Sequence, residues 1–387
     1  MKTIDLTLTV DRLAKAATAA TLARGESYSA MSALRDLGVE VAPTLASRGT
    51  WPFGKPPAAG AGAPTPEASG ETIGRFVVHR ELGAGGMGRV LEAHDPELLR
   101  AVALKLLLDP REVDPVQLAR FVAEAQITAQ LDHPNIVPVH ELGLTTDGQI
   151  YFVMKKVQGR SLREVLTALA AGDPATTQLY SVFRLLMSFI WVCQAVAYAH
   201  DRGVLHRDLK PDNIMMGEFG QIYVMDWGIA RLVGDRSEKL DIERKGQVGA
   251  AKTMDGTAIG TPGYMSPEQA TGQVHEMDAR SDIWALGAIL YEILTLQPAF
   301  DDPDPYTRML KTVSGPPIPP KKRAPQREID PEIEAVCVKA MAVDRTQRFA
   351  SVLEFAFAIG HYLESAKRSR PGLAAECEKE GGALGPM

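Results

Sequence analysis

The chain has 387 residues, 45% of them hydrophobic and 23% charged, with a formal net charge of −6. Such a chain can bury a large core and divide into more than one folding unit. Its mild acidity gives no global attraction to nucleic acid or anionic lipid, so nucleic acid is not an expected partner. Three widely spaced cysteines, Cys193, Cys337 and Cys377, offer no zinc spacing and no even disulfide set, which suits free thiols in a reducing cytoplasm. The N-terminus lacks a basic segment followed by an apolar run, and no uninterrupted apolar stretch of about 18 residues occurs, so neither a secretory signal nor a membrane span is expected.

Residues 1–51 carry one predicted helix, around Asp11 to Arg24, in an extension to which the sequence assigns no role. Residues 52–72 are dominated by Pro, Ala and Gly and are expected to be a flexible linker. From Phe76 the short apolar runs FVVHREL, RVLEAHD and AVALKLLL, separated by turn signals, predict antiparallel strands. Helical spacing follows over residues 114–131, through Leu118, Phe121, Val122, Ala125 and Ile127, and strands resume in IVPVHELGL and QIYFVMKKV. After Gly159 the pattern is mainly helical, notably over 180–201 and 282–295. The expectation is an α+β chain of two lobes with a cleft between them. A small antiparallel-sheet lobe with one main helix spans 73–157, a larger, mostly helical lobe spans 158–366, and a disordered tail spans 367–387.

Chemistry concentrates in a few segments. GAGGMGRV supplies Gly83, Gly85 and Gly88 in the order G-x-G-x-x-G, then Val90. Strand-like sequence on both sides argues against a dinucleotide-binding turn, which needs a following helix, and a Walker A loop would need Lys and Ser or Thr where Arg89 and Val90 stand. A glycine hairpin can close its backbone amides over phosphates without side-chain obstruction. Residues 206–213 read HRDLKPDN and hold a proton acceptor, Asp208, a phosphate-binding cation, Lys210, and an oxygen ligand for metal, Asn213, in one short loop. These are the types that phosphoryl transfer needs, because the protein mainly positions groups and neutralises charge. Asp226 lies in MDWG after a strand-like run, and GTPGYMSPEQA occupies residues 260–270.

Taken in this order, the segments resemble the eukaryotic-like (Hanks-type) bacterial serine/threonine protein kinases over about residues 76–365. The resemblance implies the two-lobed protein-kinase fold and transfer of the ATP γ-phosphate to Ser or Thr hydroxyls of proteins, with ATP and Mg²⁺ as substrate and cofactor. Lys105 of VALK would meet the α- and β-phosphates and pair with Glu124, while Glu112 and Glu141 are neighbouring acids that spacing alone does not dismiss. Met154, Lys155 and Val157 would frame adenine in the connector YFVMKKV. Lys155 and Lys156 depart from the acidic and aromatic residues common there, which puts ribose contacts in question.

The same resemblance assigns Mg²⁺ to Asn213 and Asp226, with Trp227 replacing the usual Phe. Thr261 would contact Asp208 and Lys210, Glu268 would pair with Arg348, and Asp282 would brace the catalytic loop. Arg207 would anchor a phosphate placed on the segment between Asp226 and Glu268, with Thr253 or Thr257 as the autophosphorylated residue. Expected partners are protein substrates and, for autophosphorylation, a second copy of the chain. Bacterial members often continue into a membrane span, which leaves a longer parent protein open. Two rivals differ in class. A pseudokinase scaffold would normally lack Lys105, Asp208 or Asp226, and a small-molecule phosphotransferase would be unexpected to carry the full GTPGYMSPEQ segment.

Overall fold

The computed structural model describes residues 70–85, 88–107, 115–145, 148–227, 231–232 and 260–369. The helix expected near Asp11, nearly all of the linker, Thr253, Thr257 and the last 18 residues lie outside them. By compactness the chain divides into two units. In described residues, one comprises 70–107 and 139–156, and the other 115–138 and 157–369.

The first unit is a six-stranded antiparallel sheet: β1 (Thr72–Ile73), β2 (Phe76–Gly85), β3 (Gly88–Asp95), β4 (Arg100–Leu107), β5 (Val139–Leu144) and β6 (Ile150–Lys155). Its strand order is β1-β2-β3-β4-β6-β5. Alternation along the strands sorts side chains onto two faces. Phe76, Val78, Leu91, Ala93, Val102, Leu104, Leu106, Tyr151 and Val153 form a core on one face. Register then fixes the other face, because directly opposed residues share a side. Val90 lies opposite Lys105 and Lys105 opposite Phe152, while Glu92 lies opposite Ala103 and Ala103 opposite Met154. Gly88 is required by packing, since a Cβ there would sit 2.2 Å from the Leu106 carbonyl oxygen.

The second unit contains α1 (Pro115–Gln130), β7 (Gly159–Ser161), α2 (Leu162–Ala170), α3 (Pro174–Leu179), α4 (Val182–Asp201), β8 (Val204–Leu205), β9 (Ile214–Gly217), β10 (Ile222–Val224), β11 (Arg231–Leu232), α5 (Pro267–Ala270), α6 (Ala279–Thr295), α7 (Pro305–Ser314), α8 (Pro320–Arg323), α9 (Pro331–Ala340) and α10 (Val352–Ser369). Helix starts are well specified. Ser161, Asp173, Ser181, Ser266, Asp278, Asp304 and Asp330 each cap a following helix by accepting a backbone N–H bond.

By compactness α1 and residues 131–138 group with the helical unit, and the reason is local. Ile127, Leu131 and Ile136 join the large core, the Asn135 side-chain amide donates to the Ile222 carbonyl at 3.0 Å, and the Val137 N–H donates to the Val224 carbonyl. Helix α6 forms the centre of that core, with every residue from Ser281 to Thr295 buried. Among the described helices, α4 alone is long and apolar enough to cross a membrane by length and composition. Here it is a core helix, with Phe183, Leu186, Phe189, Val192 and Val196 buried.

Candidate active site

The loop between β8 and β9 contains the predicted catalytic residues, and buried groups hold it from below. Asp282, in the first turn of α6, is almost wholly buried and accepts the backbone N–H groups of both His206 and Arg207 at 2.9 Å. His200, at the end of α4, approaches the same carboxylate at 2.7 Å. Burial works against ionisation of Asp282, but hydrogen bonding and charge from His200, together with the Arg207 amide, hold its carboxyl below the usual range. Arg207 adopts φ 70° and Asp226 φ 60°, left-handed conformations that cost a non-glycine residue of order 1–3 kcal/mol. The surrounding bonds tolerate that strain. Gln269 donates to the Arg207 carbonyl oxygen at 2.8 Å, so both peptide groups of this residue are held.

His206 ties the loop to the MDWG segment. Its Nδ1 accepts the Asp208 N–H at 3.3 Å, which leaves the proton on Nε2 to donate to the Met225 carbonyl oxygen at 3.1 Å. Its ring lies 4.6 Å from that of Trp227, which is buried in the large core. Among the described residues the Trp227 indole N–H has no hydrogen-bond partner, so this aromatic serves by packing.

Asp208, Lys210 and Thr261 form a closed triangle. The Lys210 ammonium donates to Asp208 Oδ2 at 2.8 Å and to Thr261 Oγ1 at 2.8 Å, and the Thr261 hydroxyl donates to Asp208 Oδ1 at 2.6 Å. The pair is 53 residues apart in sequence, and Gly260 at φ 120° lets the chain pass the Arg207 carbonyl oxygen to deliver Thr261. The carboxylate is therefore oriented, charge-compensated and still partly accessible, with 15% of its side chain exposed. A group so placed can accept a proton from a hydroxyl.

The hairpin β9–β10 brings the expected metal ligands to one end. Its last pair is Val224 opposite Ile214, so the neighbouring residues Met225 and Asn213 also meet, with the Met225 N–H donating to the Asn213 carbonyl oxygen at 2.9 Å. Asp226 follows at once. The Asn213 amide nitrogen donates to the Asp208 carbonyl oxygen at 2.9 Å, which turns its side-chain oxygen the other way. An amide oxygen and a carboxylate are hard donors of the kind Mg²⁺ takes, so the residues fit that ion.

In the sheet unit, Lys105 lies on the face opposite the small core, its ammonium 5.7 Å from the Phe152 ring centre. Gly83 and Gly85 pair with Val90 and Gly88 on β3, and among the described residues no atom beyond the chain neighbours lies within 4 Å of a Cβ built on either. Neither has positive φ, so the protein's own packing does not demand glycine there. Open space over bare backbone suits phosphate, the group proposed for this loop. Val90, Met154 and Lys155 are on these strands and Val157 follows β6. Glu124 is buried on α1, in the helical unit.

Sequence reading missed a second, partly buried network. Arg163, at the start of α2, donates to Glu292 of α6 and to the Tyr264 hydroxyl and lies 3.4 Å from Asp212, while Tyr264 donates to Glu292 at 2.6 Å. Burial lowers the tendency of Arg163 to hold its proton, but its interactions with Tyr264 and with the Glu292 carboxylate raise it above the usual value. Burial pushes the Tyr264 hydroxyl well up, with Glu292 adding to the shift. The network fastens the GTPGY segment to the catalytic loop and to the core. Glu268 binds Arg348 through two bonds of 2.8 and 3.0 Å and also accepts from Ser281 at 2.7 Å. The roles of Asp282 and of this pair were legible through family likeness, whereas Arg163 and Glu292 gave no local signal.

Residues 76–357 match the protein kinase domain family. The chain is 36% identical over 303 residues to the serine/threonine-protein kinase PknD of Chlamydia pneumoniae, an overlap that covers 76% of this chain and 32% of that protein. It is 38% identical over 309 residues to the PknD of Chlamydia muridarum, covering 75% and 32%. The chain thus spans about a third of the length of these curated relatives.

Proposed function

The chain belongs to the protein kinase family, whose members in general use ATP with Mg²⁺, and we propose on that premise that it is a serine/threonine kinase acting on proteins. The observation that carries this reading is the Asp208–Lys210–Thr261 triangle, a carboxylate oriented for an incoming hydroxyl beside a cation. Asp208 positions the substrate hydroxyl and accepts its proton. Lys210 neutralises charge beside it. Asn213 and Asp226 hold Mg²⁺, which when bound offsets charge on the phosphates. Lys105 binds phosphate oxygens, with Glu124 as the acid that family likeness assigns to it. The amides of Gly83, Gly85 and Gly88 cover the phosphates, and Val90, Ala103, Met154, Lys155 and Val157 frame the base.

Protein rather than small-molecule substrates are favoured by the GTPGY segment, whose Tyr264 is locked to Glu292 and Arg163. We also propose autophosphorylation at Thr253 or Thr257 by a second copy of the chain, with Arg207 as phosphate anchor, in a cytoplasmic setting. The test is incubation of wild type and Asp208→Asn with ATP radiolabelled on its terminal phosphate, Mg²⁺, a generic protein and, separately, small alcohols. Label on protein with wild type alone supports the reading. Label on alcohols only, or equal labelling by both proteins, overturns it. Mass spectrometry that finds Thr253 and Thr257 unmodified after incubation rejects the autophosphorylation sites.

A further inference from the structure

Lys156 departs from the residue types that the likeness leads one to expect after Met154, and the structure gives it a partner. Its ammonium pairs with the Glu92 carboxylate, whose other oxygen accepts from Arg80 Nε at 2.9 Å. Glu92 and Lys156 are largely shielded, with side chains 16% and 17% exposed, whereas Arg80 is mostly in solvent at 61%. Burial opposes ionisation of Glu92, but the hydrogen bonds from Lys156 and then Arg80 outweigh it and hold the carboxyl below its usual range.

The position of this pair follows from register. Leu91 and Ala93 point into the small core, so Glu92 between them points to the opposite face, the one that carries Val90, Lys105 and Met154. Lys156 follows the last residue of β6, and β4 lies between β3 and β6 in the sheet. Glu92 and Lys156 therefore meet across two strand spacings, about 10 Å, a span their extended side chains can bridge. What lies beneath makes the bridge feasible. On β4 the same face offers Ala101 and Ala103, opposite His94 and Glu92, and these methyl groups leave a shallow trough between the flanking strands. Val90 and Met154 flank that trough, and the ion pair crosses one end of it.

We propose that Glu92 and Lys156 are positioning residues for the nucleotide, forming a polar end wall that ties β3 to the connector and fixes where the base lies in the Ala103 trough. The inference rests on the ATP-dependent reading above and adds two residues to it. The bridge acts through placement. Neither side chain takes part in phosphoryl transfer, and breaking the bridge weakens nucleotide binding without slowing the bound complex.

The experiment measures binding of Mg²⁺-ADP by calorimetry, and KM for ATP and kcat with a generic protein substrate, for wild type, Glu92→Gln, Lys156→Met and the reversed pair Glu92→Lys with Lys156→Glu. Each single variant is expected to raise Kd and KM roughly three- to tenfold with kcat unchanged, and the reversed pair to recover most of the loss. Thermal unfolding of each variant reports whether it is folded. A lower midpoint with unchanged Kd and KM would mean that the pair only braces the sheet, and would overturn the inference. Tighter binding by Glu92→Gln would also overturn it, since Lys156 would then be a phosphate-seeking cation that Glu92 restrains. Wild type that binds no nucleotide would overturn the kinase reading itself, whereas wild type that binds normally while all variants match it sinks this inference alone.

Discussion

The two units shield their charges to different degrees. In the helical unit the groups that hold the catalytic loop are removed from water: Asp282, Glu268 and Glu292 are buried, and so is Arg348. In the sheet unit the Arg89–Glu81 pair is solvated, the Arg75–Glu141 and Glu92–Lys156 pairs are only partly shielded, and the candidate site side chains are aimed by strand register. Burying a charge is costly unless its hydrogen bonds are complete, and those around the loop are bidentate or multiple. The difference shows what each kind of site requires. Loops with left-handed Arg207 and Asp226 need outside bonds to hold their shape, while a strand in a sheet holds its shape through its neighbours.

The largest expected effect separates chemistry from this scaffolding. Asp208→Asn should lower kcat by roughly 10²- to 10⁴-fold, the usual contribution of a positioned base. The urea unfolding midpoint should stay close to that of wild type, because Asp282 and not Asp208 holds the loop. A fall in stability comparable to the fall in rate would break the comparison.

Next in size, Asp282→Ala or Arg348→Met should destabilise the protein by about 3–5 kcal/mol, the cost of leaving the other members of a buried pair unsatisfied. Urea denaturation measures this, and a loss below about 1 kcal/mol would show that the buried groups are no more important than surface ones. Thr261→Ala removes a hydrogen bond to a carboxylate and should lower kcat by about tenfold or more, with Thr261→Ser retaining most activity. Steady-state kinetics on the two variants checks it.

The pH dependence tests the same contrast more gently. Asp282 and Glu268 both titrate below their ordinary values, so the stability they contribute is present above the unfolded carboxyl pKa of about 4 and is lost as pH falls below it. Urea midpoints measured from neutral pH downward should fall on the acid side, and Arg348→Met should flatten that fall. The smallest effect belongs to the sheet. Arg89→Ala should change stability by less than about 1 kcal/mol, because both partners of its ion pair are solvated.

Much of the candidate site was legible in sequence because it is local. HRDLKPDN places Asp208, Lys210 and Asn213 within six residues, and the glycines of GAGGMGRV sit between strand-like runs, so residue type and spacing were enough to suggest phosphate chemistry. The Thr261 contact and the Glu268–Arg348 pair were reached only through family likeness, because nothing local marks a partner 53 or 80 residues away. Arg163, Glu292 and Gln269 were not reached. A single arginine at a helix start reads as a solvated residue until the fold brings Tyr264 and Glu292 to it across 101 and 129 residues.

The sequence by itself determined the chemical inventory, the alternating strands and the order of helices, since these depend on residue type and short-range periodicity. Tertiary structure alone decided which charges are buried, which face of the sheet carries Lys105, that Glu92 meets Lys156, and that α1 joins the helical core. Those outcomes depend on contacts between distant segments, where the energy of an ion pair or an apolar side chain is set by how much water the rest of the chain excludes.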